Sequence, residues 1–525
     1  MIRAAKDDLS REFFLLVWLQ PLLLTLQLMF VAVAIAAMLG IVGAWGASVS
    51  ATNRFAGRLV HRVFLAAMVL TIAFPLILHA AAWEATAGKF GWMIMTQTGA
   101  RTGSTSRYGF FSGLVACGWI HGLIGGAMVG LACWYGTREV SKEVADSSLL
   151  DCSPLGAWWR VRLPLAARWW IPALVATAML AATEMTVVDL YGYRTVADEF
   201  YLFYAANPST LSILMICVVP LALVSSALLW WSVSRRRRTL SKSNRQDQQT
   251  VGDEAGGAWS LIGTIFALGI ALTMVVVPIA SLIIKIGHEV SVEEDQVIAH
   301  WSAVACAKRI LEAPHLFAEE YTWTTILALS TAVIATAIAW PLAALARTRP
   351  GWERSLDLAT ITMAIIPGPI VAMTVVWIFQ WEIPGFRFLY QQTIVPTVCA
   401  LLARGIPVAY WILRAAYRGI DQSVIDAASL EMSWLARVWK IDRPILRRDL
   451  VTALLGTAIV ASGDVPATLP VIPPGVTTVG TRLFGLLHSG ARYQEAALAI
   501  WYVAAITLVS LFLLRQRVAS RVRLK

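Results

Sequence analysis

Long uncharged apolar runs constrain this chain more than any other feature of it. Segments 20–46, 209–233, 322–346 and 495–514 each run for about 20 residues or more with almost no Asp, Glu, Lys or Arg. About 20 apolar residues in a helix cross the roughly 30 Å hydrocarbon layer of a bilayer. No water inside that layer satisfies a backbone N–H or C=O, so a spanning segment must be a helix that bonds to itself. Eleven candidate spans follow: 20–46, 60–84, 109–134, 167–190, 209–232, 259–285, 322–346, 355–380, 392–416, 450–470 and 495–514. The expected fold class is all-α, a polytopic membrane protein of about eleven transmembrane helices.

Composition agrees. Of the 525 residues 58% are apolar and 14% charged, against roughly 25% charged in soluble domains. The formal net charge of +11 does not point to nucleic acid, because the basic residues sit in short loops between apolar blocks, where they orient helices. The six cysteines (Cys117, Cys133, Cys152, Cys217, Cys306, Cys399) form no CxxC pair and no metal spacing. They read as small hydrophobes, and no cofactor is expected. The first apolar stretch runs past Ala44, too long for the core of a cleavable signal peptide.

The chain repeats itself. Residues 146–165 (DSSLLDCSPLGAWWRVRLPL) align with 426–445 (DAASLEMSWLARVWKIDRPI) at a constant offset of 280. Asp146 meets Asp426, Leu150 meets Leu430, Leu155 meets Leu435, Trp159 meets Trp439 and Pro164 meets Pro444. The register continues into the next helix, where Glu184 falls on Asp464. Upstream, Pro75–Trp83 resembles Pro369–Trp377. Register held over three elements points to a tandem duplication. The halves are 1–233, with about five spans, and 259–525, with about six. Between them 234–258 opens with Arg235–Arg238 and continues in polar residues that cannot form a core, so a mobile cytoplasmic linker is expected.

Loops 47–60, 135–166, 234–258, 347–354, 417–449 and the tail from Arg515 carry Lys and Arg, whereas 286–321 is rich in Glu. The positive-inside rule places both repeated loops and the C-terminus in the cytoplasm. Eleven spans then put the N-terminus outside.

Each repeated loop (138–165 and 417–448) pairs a short amphipathic helix pattern with a Trp/basic/β-branched run and a Pro that opens the next span. The apolar positions Leu149, Leu150, Leu155 and Trp159 offer one face to something other than lipid. These loops resemble the "EAA" coupling loop of binding-protein-dependent ABC importer permeases. Asp426-Ala427-Ala428 resembles its start and Val161-Arg162-Leu163-Pro164 its end, while the family's glycine is absent from both copies. Two fused halves, with Gly463–Pro470 and Pro473-Pro474-Gly475, look most like the iron(III) and thiamine branch. The resemblance implies a type I importer permease in a bacterial inner membrane, seated on two copies of a cytoplasmic ABC ATPase and fed by an extracytoplasmic solute-binding protein. It assigns ATPase coupling to Asp146, Leu150, Leu155, Trp159, Pro164, Asp426, Ala427, Ala428, Leu430, Trp439 and Pro444. No GxxxxGK[ST] sequence occurs, so ATP hydrolysis is expected in a separate subunit and the chain itself is not expected to be an enzyme.

Charges inside membrane helices are costly and commonly functional. Glu184 and Asp464 are therefore candidate pathway residues, with a structural hydrogen-bonding role as the alternative. His79 and His121 read as helix–helix hydrogen-bond partners, Tyr191, Tyr193, Tyr201 and Tyr204 as an interfacial belt, and the acidic cluster 289–295 as a solvated face. The expected substrate is iron(III), a hard cation suited to carboxylates, with thiamine or another small solute carried by the same machinery as the alternative. Two other classes stay open: an ion-gradient-driven secondary transporter, and a membrane enzyme, for which no cluster of catalytic residues is seen.

Overall fold

The computed structural model describes residues 19–50, 56–88, 111–205, 257–293, 296–489 and 493–523. The expected span 209–232 and all of the linker 234–258 but its last two residues lie outside them. The described residues are almost wholly helical. Six helices are long and apolar enough to cross a membrane, or up to nine if each of three bent pairs counts as one span. The chain is a helical, multi-pass membrane protein.

Two compact units emerge. The first holds α1 (Gln20–Ser50), α2 (Ala56–Ala73), α3 (Leu76–Ala87), α4 (Gly113–Arg138), α5 (Lys142–Asp151), α6 (Ala167–Thr183), α7 (Thr186–Leu190) and α8 (Val196–Ala205). It also takes α9 (Gly257–Ala271), joined by a π turn to α10 (Val277–Ile286), and the hairpin β1 (His288–Glu293) with β2 (Gln296–Trp301). The second unit holds α12 (Ala318–Thr348), α13 (Pro350–Ile365), α14 (Gly368–Phe379), α15 (Phe386–Gln392), α16 (Val395–Tyr417), α17 (Gln422–Glu431), α18 (Arg443–Ser462), α19 (Val465–Thr468) and α20 (Val479–Ser489). Helices α11 (Ala303–Leu316) and α21 (Gln494–Arg523) begin with the first unit and continue with the second.

In the first unit α1, α4 and α6 pack together, and α9 packs on α1 and α2. In the second, α12, α16 and α18 form the corresponding trio. The faces they share are made of small residues. Helix α12 buries Ala328, Ala332, Ala335, Ala339 and Ala343 and exposes Ile326, Leu329, Val333, Ile334 and Ile338. Small residues inside and bulky aliphatics outside suit a helix whose solvent is lipid, where close backbone approach rather than hydrophobic burial drives association.

Three expectations need correcting. Segments 60–84 and 355–380 are not straight spans. The first bends by 107° between Ala73 and Leu76 and the second by 98° between Ile365 and Gly368, at Pro75 and Pro367. Proline cannot donate to the helix behind it and disfavours helical geometry in the residue before it. Nor are 167–190 and 450–470 continuous: α6 stops at Thr183 and α18 at Ser462, each followed by a carboxylate and a new short helix. Finally, 286–321 is not a plain acidic loop. It folds into an antiparallel hairpin pairing His288 with Trp301 and Glu293 with Gln296, followed by α11. Glu289 faces His300 at 3.3 Å and Arg309 at 3.7 Å, while residues 294 and 295 lie outside the described chain.

Candidate functional site

The two repeated loops fold alike, residue for residue. Helices α5 and α17 share boundaries at the 280-residue offset, as do the turns Pro154–Ala157 and Trp434–Arg437 and the π turns Trp158–Arg162 and Val438–Asp442. The cap is repeated too. Ser153 accepts the Gly156 N–H at 3.2 Å and Ser433 accepts the Ala436 N–H at 3.4 Å, satisfying donors that a helix start leaves open. Pro164 and Pro444 lie in the first turn of the helical segment that follows, where no intrahelical bond is lost.

Each loop helix has an inner and an outer face. Ala145 and Ser148, like Ile425 and Ala428, are buried, while Asp146, Asp426 and Ala427 are exposed. Its final turn carries, among the described residues, the most exposed leucine of each unit: Leu150 is 87% and Leu430 90% exposed. Trp159 and Trp439 are also exposed. Leu155 is not part of this outer face. It packs against a cluster of Ala44, Trp45, Cys133, Trp158 and Leu163.

The loops differ in what holds them. In the first unit the anchor is apolar, Trp158 buried in that cluster. In the second it is polar. Buried Arg437 lies 3.5 Å from buried Asp442, Tyr417 donates to Asp442 at 3.1 Å, and Trp340 donates to Tyr417 at 3.1 Å. Trp340 also meets Trp439 edge-on at 5.1 Å. Burial pushes the Asp442 carboxyl above its ordinary range, opposed by Arg437 and Tyr417. Neither Arg437 nor Asp442 stood out in the sequence. The available signal was the repeat itself, since the first half has Ala157 and Arg162 at those positions.

The second repeated feature is the hinge after α6 and α18. Glu184 leaves the helix in extended geometry and accepts the N–H groups of Thr186 and Val187 at 2.7 and 2.9 Å. Asp464 likewise accepts the Ala467 N–H at 3.2 Å. A carboxylate there meets the positive end of the short helix it opens. Each also faces a basic side chain of its own unit: His121 Nε2 is 3.6 Å from Glu184, and Arg404 Nε is 3.6 Å from Asp464. His121 and Arg404 sit about one turn apart on the equivalent helices α4 and α16. Around Asp464 lies a small cavity lined by Thr324, Ser462, Thr468 and Thr478. His79 contacts the Thr71 carbonyl at 3.0 Å, in keeping with a structural role.

Beyond Glu184 the units diverge again. Thr324 accepts the Val479 N–H, and Thr25 accepts the Val196 N–H, so the entry to α20 matches that to α8. In the second unit Thr478 and Thr481 then cap each other, each accepting the other's N–H. The first unit has Thr195 and Asp198 there, and Asp198 is buried. Among the described residues its Oδ1 has no hydrogen-bond partner. Burial first, then the nearby charge of Asp189, push its carboxyl up to about 7; Glu199 and Glu184 add to this and Arg194 opposes it.

Among the described residues no three His, Cys, Asp or Glu side chains gather as metal ligands would. Comparison with protein-family models and with curated proteins returns no match to either.

Proposed function

We propose that this chain is the membrane-spanning permease of an ATP-driven solute importer, its two loops transmitting motion from a pair of cytoplasmic ATPase subunits. One observation carries the reading: the same loop, with the same cap and π turn, ends its helix in an almost fully exposed leucine twice, at Leu150 and Leu430. A large apolar side chain held out on the last turn of a short surface helix suits insertion into a protein pocket, where a few desolvated anchors carry most of the affinity. Duplication of the device suits a two-fold partner. The likeness of the loops to those of binding-protein-dependent permeases supports the same reading.

Within it, the proposed substrate is iron(III) handed over by an extracytoplasmic binding protein, with thiamine the alternative, and the membrane is a bacterial inner membrane. The carboxylates Glu184 and Asp464, one at each helix break, are the proposed pathway residues. Reconstitution with the cognate ATPase and binding protein tests all of this. Iron uptake driven by internal ATP is expected, and thiamine uptake without iron uptake reverses the substrate assignment. Normal iron transport by the Glu184→Gln, Asp464→Asn double variant removes the pathway role and leaves the substrate.

The broken helices favour a second reading, since secondary transporters also place charges at helix interruptions between repeats. Uptake that follows an imposed ion gradient and ignores ATP would establish that reading instead.

A further inference from the structure

The segment between α10 and α12 reads in sequence as a polar, acidic connection. Helix α11 contradicts that. It has 14 residues, so it is about 20 Å long, and its side chains divide into three faces rather than two. Ala305, Cys306 and Ala313 are buried against the protein. Val304, Ala307, Leu311 and Pro314 form an exposed apolar stripe, with Val304 at 79% and Leu311 at 75% exposure. Lys308, Glu312 and His315 lie beside that stripe and are also exposed.

The contacts of α11 fix its depth. Near its start, Cys306 approaches the Ile283 carbonyl at 3.7 Å. In its middle, Arg309 donates to the carbonyls of Ile286 and His288 at 2.6 and 2.9 Å, capping the end of α10. The same guanidinium lies 3.9 Å from the ring centroid of Tyr493, the residue before α21. At its far end only Phe317 separates α11 from α12. Cys306 and Arg309 thus tie the first half of α11 to the end of α10 and the start of α21, two membrane-crossing helices, and hold it at the level of those span ends.

We infer that α11 lies in the plane of the membrane interface, with Val304, Ala307, Leu311 and Pro314 seated among the lipids of one leaflet. Lys308, Glu312 and His315 then face the water. This division of faces is what an interfacial helix needs: apolar area sunk to the headgroup–acyl boundary and ionisable groups above it. Trp301, half exposed just before α11, extends the same boundary, where tryptophan is enriched. The occupant of the stripe is therefore phospholipid and not a docking protein. The inference does not depend on what the chain transports.

Nitroxide labels test it. Leu311→Cys and Glu312→Cys are placed singly in a background with Cys152, Cys217 and Cys399 replaced by Ser and reconstituted in vesicles of phosphatidylethanolamine and phosphatidylglycerol. Collision rates with oxygen, which concentrates in lipid, and with a water-soluble nickel chelate are compared by power saturation. The label at 311 should show an oxygen-to-nickel ratio severalfold above that at 312. Equal ratios at the two positions would overturn the inference. So would nickel access at 311 that disappears only when a soluble partner protein is added, which would make the stripe a protein-docking surface.

Discussion

At the scale of single residues, the differences between the halves are more informative than the likenesses. Asp198 takes the place of Thr481, which closes a neutral cap in the other unit. Its carboxyl is raised from 3.8 to about 7 by burial and by Asp189, Glu199 and Glu184. A carboxyl whose folded pKa lies above its unfolded value gives stability that is full below the unfolded pKa. That contribution is lost as pH rises through the folded value. Asp198→Asn should therefore raise the melting temperature in detergent at pH 8 and leave it nearly unchanged below pH 4; a uniform effect at both would remove Asp198 as the titrating group. Arg437 and Asp442 obey a different rule. Removing one member of a buried pair strands the other charge, at a cost of about 3–5 kcal/mol, whereas replacing both by apolar residues is often neutral. Asp442→Ala should destabilise strongly and the Arg437→Met, Asp442→Leu double variant much less. Equal losses by chemical denaturation would show that the pair does not act as a unit.

At the scale of elements, the close approach of α1 and α4 decides the packing of the first unit. A Cβ added at Gly40 would meet the Gly126 carbonyl oxygen and the Gly130 nitrogen at 2.7 Å, and backbone cannot step aside. Gly40→Ala should cost about 1–3 kcal/mol as an overpacked contact, despite alanine's better helix propensity. Gly269→Ala, with nothing within 4 Å of its added Cβ, should be neutral or stabilising. Urea titration of both variants checks the contrast. Which parts of these elements could be read in advance follows from the kind of signal each one leaves. Helices α1, α4 and α12 were legible because their apolar runs are long, and the loops were legible because the repeat aligned them. The bends at Pro75 and Pro367 were missed because hydropathy counts charges and is blind to direction, although Phe74-Pro75 and Ile366-Pro367 carried the warning. The hairpin was missed because its glutamates drew attention, while Glu289–Glu293 alternates polar and apolar residues with the period of a strand. The anchors Trp340, Tyr417, Arg437 and Asp442 had no signal of their own, since they come together only when α12, α16 and the loop pack.

At the scale of the whole molecule, the bent pair of α13 and α14 decides the sidedness of everything around it. Between the hairpin and the second loop the chain passes through α12, the pair α13 and α14, and α16. Helices α12 and α16 each satisfy the length and hydropathy of a crossing. The pair is bent by 98°, so it either crosses as a broken span or enters and returns on one side. A crossing makes three passages and puts hairpin and loop on opposite sides; a re-entrant pair makes two and puts them on the same side. Charge separates these outcomes. The loop and its flanks carry seven Lys and Arg (Arg414, Arg418, Arg437, Lys440, Arg443, Arg447 and Arg448), whereas the hairpin region carries three (Lys285, Lys308 and Arg309). Since Lys and Arg near span ends collect on the cytoplasmic side, the halves of this segment are expected on opposite faces, with the pair crossing. Single cysteines at His300 and Lys440, both exposed, can be tested with a membrane-impermeant maleimide. In cells with a permeabilised outer envelope, His300→Cys should label and Lys440→Cys should not; in inverted vesicles the pattern should reverse. Labelling of both from one side would make α13 and α14 a re-entrant pair, and the odd count of spans between hairpin and loop would fall with it.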